Sequence, residues 1–350
     1  MNMRFLIIIC FCLLPVRGLC DDWNVFVDLR GQWKFELGDD MKWSDQKFDD
    51  GKWAEIFVPS PWEDEGYAGY DGYAWYRKHF RVPEVKHKAL YLLLGSIDDV
   101  DEVYVNGHFV GFSGSFPPDF YTSYERHRVY WLPVEYLNQS GDNVIAVRIY
   151  DIQLVGGIVS GRIGIFEPKD FLWPDAAFPA VWKFKTGDDK RWKDPKTDDG
   201  SWQSVHVPSF WETQGFKNYN GFGWYMVSFR VPEELKGQRL VLLLGKIDDI
   251  DEAYINGELV GKTGRIYERV NRMSFDDEYL QQRAYPIPSD LLNPDGDNVL
   301  AVRVYDTFLH GGIYDGPVGL ITRDRYTSWR KTQKKAKGDF WDFFNSLFDR

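Results

Sequence analysis

The residues Ile97–Gly107, IDDVDEVYVNG, return 150 positions later as Ile247–Gly257, IDDIDEAYING. Each copy follows an apolar run ending in glycine, Tyr91–Gly95 and Val241–Gly245, and each closes on Asn-Gly. Asn-Gly between alternating apolar residues predicts a two-residue β-hairpin turn, because both turn positions need positive φ and these residues tolerate it. Tyr104–Val110 and Tyr254–Val260 therefore read as strand, turn, strand. The local unit is a duplicated hairpin with an acidic entrance.

The flanking sequence repeats as well. Trp33–Leu37 (WKFEL) sets Trp33, Phe35 and Leu37 on one strand face, and Tyr225, Val227, Phe229 and Val231 share another. Trp53 returns as Trp202, Trp62-Glu63 as Trp211-Glu212, and Trp75-Tyr76 as Trp224-Tyr225. This spacing is that of a whole domain rather than of a solenoid repeat. Beyond the hairpins the offset grows to 155, from Pro133 to Pro288 and from Asp151 to Asp306. The second copy thus carries an insertion, placed between Gly264 and Tyr285, where Phe275–Gln282 suits a helical turn. Each copy ends on a strand behind a Gly-Asp turn, Asn143–Asp151 and Asn298–Asp306, and then on paired glycines, Gly156-Gly157 and Gly311-Gly312. About eight short strands per copy, without a long helical period, predict an all-β chain of two tandem antiparallel jelly-roll sandwiches at 24–168 and 171–323. Trp33, Trp53, Trp75, Trp182, Trp202 and Trp224, at strand positions, are expected in the inter-sheet cores.

Length and a 44% hydrophobic content are ample for two cores. A net charge of -11 argues against nucleic acid as a partner. Residues 1–20 read as a signal peptide: Arg4 is the basic start and Phe5–Val16 an apolar core too short to span a bilayer. Gly18 and Cys20 fit a cleavage site, with lipid attachment at Cys20 as the alternative, so the expected location is periplasmic, extracellular or at the cell surface. Cys10, Cys12 and Cys20 all lie there, which leaves the mature chain without disulfide, thiol nucleophile or Cys metal site. At the other end, 324–350 reads as a basic linker (Arg330, Lys331, Lys334, Lys335, Lys337) and an amphipathic helix in which Phe340, Phe343, Phe344, Leu347 and Phe348 recur at helical spacing. Such a helix docks on its own sandwich, on a membrane surface or on a partner protein.

Catalytic motifs are not found. G-x-S-x-G, G-D-S and H-E-x-x-H are absent from the sequence. Two acidic runs, Asp98, Asp99, Asp101 and Glu102 with their copies Asp248, Asp249, Asp251 and Glu252, admit two readings. They either act as paired acids or bind calcium through oxygen ligands, or they accept loop-amide hydrogen bonds and pair with Arg148 or Arg303. The second is the expectation adopted, with no cofactor and structural calcium as the alternative.

The order of these motifs, W...VP..WE..GY, G.WY...F.VP, LG.IDD.DE.Y.NG, DN..AVR.YD and GGI, resembles the galactose-binding-like jelly-roll domain. That module is the sugar-binding domain of family 2 glycoside hydrolases such as β-galactosidase, and occurs in sialate O-acetylesterases. The resemblance covers Trp33 to about Phe166 and Trp182 to about Ile321, and implies a carbohydrate partner. In the family an acid shortly before the glycine turn helps hold the sugar, which points to Asp151 and Asp306. Asn220 looks like the family's sugar-contacting asparagine, and Asp71 stands at that place in the first copy. The residues themselves supply an aromatic platform with polar groups beside it: Trp62, Tyr67, Tyr70 and Asp71 with Asp151, and Trp211, Phe216, Tyr219 and Asn220 with Asp306, His310 and Tyr314. Trp62 and Trp211 suit the core equally well. Family 2 enzymes place their catalytic carboxylates on a separate barrel, for which two copies of the module leave no room. The expected function is that of an exported, non-catalytic carbohydrate-binding protein. The alternatives are an accessory or scaffold protein, and a family 2 or sialate-esterase-like enzyme.

Overall fold

The computed structural model describes residues 22–85, 88–124, 126–197, 200–265 and 278–333. The signal segment, most of the insertion and the aromatic stretch Phe340–Phe348 lie outside them. Within the insertion, a single 3-10 turn at Glu278–Leu280 is described.

Each half is an antiparallel sandwich. In the first, a four-stranded sheet runs Trp23–Asp28, Gly157–Pro168, Leu90–Asp98, His127–Leu132. It faces a six-stranded sheet in the order Ala54–Val58, Gly31–Leu37, Gly72–Phe80, Asn143–Asp151, Val100–Val105, His108–Ser113. The second half repeats this order strand for strand, with Leu240–Asp248, Ile250–Ile255 and Asn298–Asp306 in the corresponding places. Ten strands per half replace the eight expected, because short edge strands such as Trp23–Asp28 and Ala176–Ala177 bury too little to show alternation.

The hairpins form as the sequence dictates. Asn106 and Gly107 have φ of 52° and 81°, Asn256 and Gly257 of 51° and 87°. Asn106 also accepts from Val144 N and donates to Tyr136 O, which ties the turn to the neighbouring strand. The glycine ending each apolar run has its own cause: Gly95 and Gly245 sit at bulges with φ of 59° and 58°. A Cβ there would lie 1.8 Å from Ser160 O or 1.7 Å from Asp315 O.

Between the sheets, Ile145, Val147 and Ile149 pack with Trp33, Phe35 and Leu92, and Tyr225, Val227, Phe229 and Val231 lie together in the second core. Trp33 and Trp182 are in these cores as expected. The other four strand tryptophans are not. Trp53 and Trp75, and Trp202 and Trp224, form satellite clusters on the outer face of each six-stranded sheet, with Trp43 and Phe48 completing the first. Strand alternation explains it: Trp75 pairs with outward Arg148, one residue out of phase with the inward Tyr76. Satellite clusters under long loops are common.

Two features concern the ends of the sandwiches. The halves meet through Phe112, which stacks on His310 at 4.1 Å while its carbonyl accepts from His310 Nε2 at 2.9 Å. Tyr91 donates to the Asp315 carboxylate across the same seam. After the last strand, residues 323–333 form a helix where a basic linker was expected. Its Tyr326 and Trp329 pack on Leu172, Val241, Leu243 and Ile321, and this apolar anchorage outweighs the basic composition.

Candidate functional site

In each sandwich the chain changes sheets twice at the same rim. It leaves the four-stranded sheet at Asp98, passes through the cis peptide to Asp99 and enters the six-stranded sheet at Val100. It returns between Asp151 and Gly157, and Gly157 is registered opposite Asp98. The second half does the same at Asp248, Asp249, Asp306 and Gly312. The two crossovers bring three carboxylates together: one oxygen each from Asp98, Asp99 and Asp151 lie within 4.8 Å of one another, as do those of Asp248, Asp249 and Asp306.

A third segment holds this rim from beneath. Trp62 N donates to Gly156 O, and Gly156 N donates to the Glu63 carboxylate. Trp211 N and Gly311 O, and Gly311 N and Glu212 Oε2 at 3.1 Å, repeat the clasp. The indoles lie against the paired glycines so closely that a Cβ on Gly156 or Gly311 would sit 2.1 Å from the ring. Trp62 and Trp211 are fully buried, with Nε1 donating to Tyr70 O and Tyr219 O. Their burial corrects the expectation of a stacking platform: neither ring has a free face, and each instead props the loop that carries Asp71 or Asn220.

The remaining candidates divide. Asp71 and Asn220 are exposed and directly precede Gly72 and Gly221, which pair with Asp151 and Asp306. The register thus sets Asp71 and Asn220 one residue outside the Gly72–Asp151 and Gly221–Asp306 pairs. Tyr67 and Phe216 lean on Phe35 and Phe184, while Tyr70 and Tyr219 donate to Tyr73 O and Phe222 O, so all four serve the loop's own packing. His310 and Tyr314 face the seam: His310 packs between Phe112 and Phe210, and Tyr314 stacks on Phe210 and donates to Tyr279 O. That contact takes both away from the rim polar set.

The acidic runs split in a way their spacing did not reveal. Asp101 and Asp251 make buried ion pairs with Arg128 and Arg283 at 2.6 and 2.8 Å, each also accepting from a tyrosine, Tyr130 or Tyr285. Glu102 and Glu252 pair with Arg148 and Arg303 as expected. Asp98, Asp99 and their copies point the other way, to the rim. Burial pushes the Asp98 carboxyl up to about 6, Asp151 to about 7 and Asp306 to about 8, with neighbouring acids adding to each shift. Glu212 is held up at about 9 for the same reasons.

Sequence reasoning missed the exposed apolar residues beside these acids. Ile152, Leu154 and Val155 follow Asp151 with exposures of 47%, 80% and 42%, and Phe308 beside Asp306 is 56% exposed. Phe308 meets Tyr121 of the first half edge to face at 5.3 Å. The signal lay in large apolar residues directly after a strand-terminal acid and before paired glycines, where a core position is not available.

The fold and the rim together define a duplicated all-β module with a carboxylate cluster at each strand crossover. A family model, the β-galactosidase second all-beta domain, matches residues 38–153 and 187–309, and the chain belongs to this family. No catalytic domain is matched. No curated protein matches the chain. Among solved structures it is similar to a Bacteroides uniformis β-glucuronidase, at 16% identity and a TM-score of 0.34 over 82% of this chain and 28% of that one. A glycosyl hydrolase family 2 member from Bacteroides cellulosilyticus has 16% identity and a TM-score of 0.34, over 82% and 32% of the two chains. A β-glycosidase from Bacteroides vulgatus has 19% and 0.32, over 67% and 27%. The chain spans about a third or less of the length of these structures.

Proposed function

We propose that this chain is an exported, non-catalytic carbohydrate-binding protein, with saccharide contacts at the sandwich rims. The observation that carries the reading is the repeat, twice in one chain of a β-galactosidase accessory family, of an exposed polar loop residue next to the glycine registered against a strand-terminal acid: Asp71 before the Gly72–Asp151 pair, and Asn220 before the Gly221–Asp306 pair. Sugar recognition combines an apolar or aromatic surface for the ring face with a few oriented polar groups for its hydroxyls. At the second rim Phe308 and Tyr121 supply the surface and Asn220 the polar group; at the first, Leu154 and Val155 with Asp71 do so. Two weak sites on one chain gain by effective concentration on a repeating polymer.

The test is affinity electrophoresis of the full chain in gels cast with a panel of polysaccharides. Retardation by at least one polymer, reduced by Asn220→Ala and by Phe308→Ala, is expected. Migration unaffected by every polymer, or retardation indifferent to both substitutions, contradicts the reading.

A further inference from the structure

Among the described residues, the carboxylates at each rim have no ion-pair partner of their own; at the first rim the nearby Arg128 guanidinium is already paired with Asp101. In the second half Asp248 is surrounded by acids: Asp249, Asp306 and Glu212 all act on it repulsively. Asp306 is completely buried, and while its Oδ1 accepts from Phe308 N at 3.1 Å, its Oδ2 has no hydrogen-bond partner. Glu212, 3% exposed, likewise leaves Oε1 without one. Asp151 repeats the pattern, fully buried with an unpartnered Oδ2. A buried carboxylate oxygen without donor or counter-charge is costly, and burial of several together is sustained by protons or by a cation.

The geometry suits the cation. Oxygens bound to one calcium at about 2.4 Å lie at most about 4.8 Å apart. The three carboxylate oxygens of each cluster fall within 4.8 Å of one another. Asp249 is already oriented by Thr307, whose N and Oγ1 both donate to its Oδ2, at 3.2 and 2.7 Å. Asp99 Oδ2 is oriented in the same way by Ile152 N at 3.0 Å. Thr122 Oγ1 also donates to Asp99 Oδ1, and these donors orient the carboxylates, the role outer partners play in metal sites.

We propose that Asp248, Asp249 and Asp306, and in the first half Asp98, Asp99 and Asp151, each bind one divalent cation, calcium above all, which ties the two strand crossovers of the sandwich together. Hard oxygen ligands without histidine or thiolate favour calcium over zinc, and three protein carboxylates on one ion favour it over magnesium, which is usually held through one or two. The inference stands independently of carbohydrate binding.

The experiment is calorimetric titration of the full chain with CaCl₂ after chelator treatment, together with thermal unfolding with and without calcium. Saturable binding and a rise of several degrees in Tm are expected, because a ligand that binds only the folded state stabilises it. Asp306→Asn is expected to remove one of the two binding sites, and Asp151→Asn the other. The absence of binding heat and of any Tm shift in the wild-type chain overturns the proposal without recourse to variants. So does calcium uptake undiminished in the Asp151→Asn, Asp306→Asn double variant.

Discussion

At the scale of single residues, the decisive groups are acids distinguished by what faces them. Asp251 and Arg283 are both fully buried and lie 2.8 Å apart. Removing one member leaves an uncompensated buried charge, so Asp251→Ala is expected to cost about 3–5 kcal/mol. Urea unfolding of the variant checks this, and a loss below about 1 kcal/mol would argue against a load on this pair. Trp211 gives the complementary case. As a buried prop rather than a sugar platform, it should lose about 3–5 kcal/mol on conversion to alanine. A surface platform would lose almost none, so the denaturation midpoint of Trp211→Ala separates the two roles directly.

At the scale of elements, the unit is the clasp between the Trp-Glu turn and the glycine crossover. Gly311 is small because the Trp211 ring occupies the space where its Cβ would be. Gly311→Ala must displace that ring and is expected to destabilise by about 1–3 kcal/mol, as overpacking does. In a double-mutant cycle with Trp211→Phe the losses should fall short of additive, because the smaller ring accommodates the methyl. Additive losses would place the strain elsewhere. The hairpins, the strand faces and the twofold repeat could all be read from residue patterns, since Asn-Gly turns and alternation are local signals. The rim could not, because Asp98 and Asp151 are joined only by strand crossovers, and the period-2 pattern that placed Trp75 on a strand did not say which of the two faces was the core. Pairing with Arg148 was expected of the whole acidic run and holds for Glu102; that Asp101 pairs with Arg128 instead, and that Asp98 and Asp99 belong to a different group, depended on the sheet and crossover geometry.

At the scale of the whole molecule, the seam between the sandwiches carries a titratable group. Burial pushes the His310 imidazole down to about 4 from its ordinary 6.5, against the opposing hydrogen bond to Phe112 O and with help from Arg126. Between those values the unfolded chain binds the proton and the folded chain does not. Stability therefore rises with pH across this window and is lost on acidification, by up to about 3 kcal/mol from this group. Comparing unfolding free energies of wild type and His310→Gln from pH 4 to 7 isolates the contribution: the variant should show the shallower slope, and identical slopes would remove His310 from the account.

The rims remain the centre of the functional reading, and the chain's duplicated architecture places one at the crossover of each sandwich. The most direct test is a calorimetric titration of the full chain, and of its Asp71→Ala, Asn220→Ala double variant, with oligosaccharides cut from a polymer that retards the wild type. Both positions are exposed, so the variant is expected to fold normally while its affinity falls at least about tenfold, a loss of about 1.4 kcal/mol. An affinity equal to that of the wild type would show that saccharides are held elsewhere on the molecule.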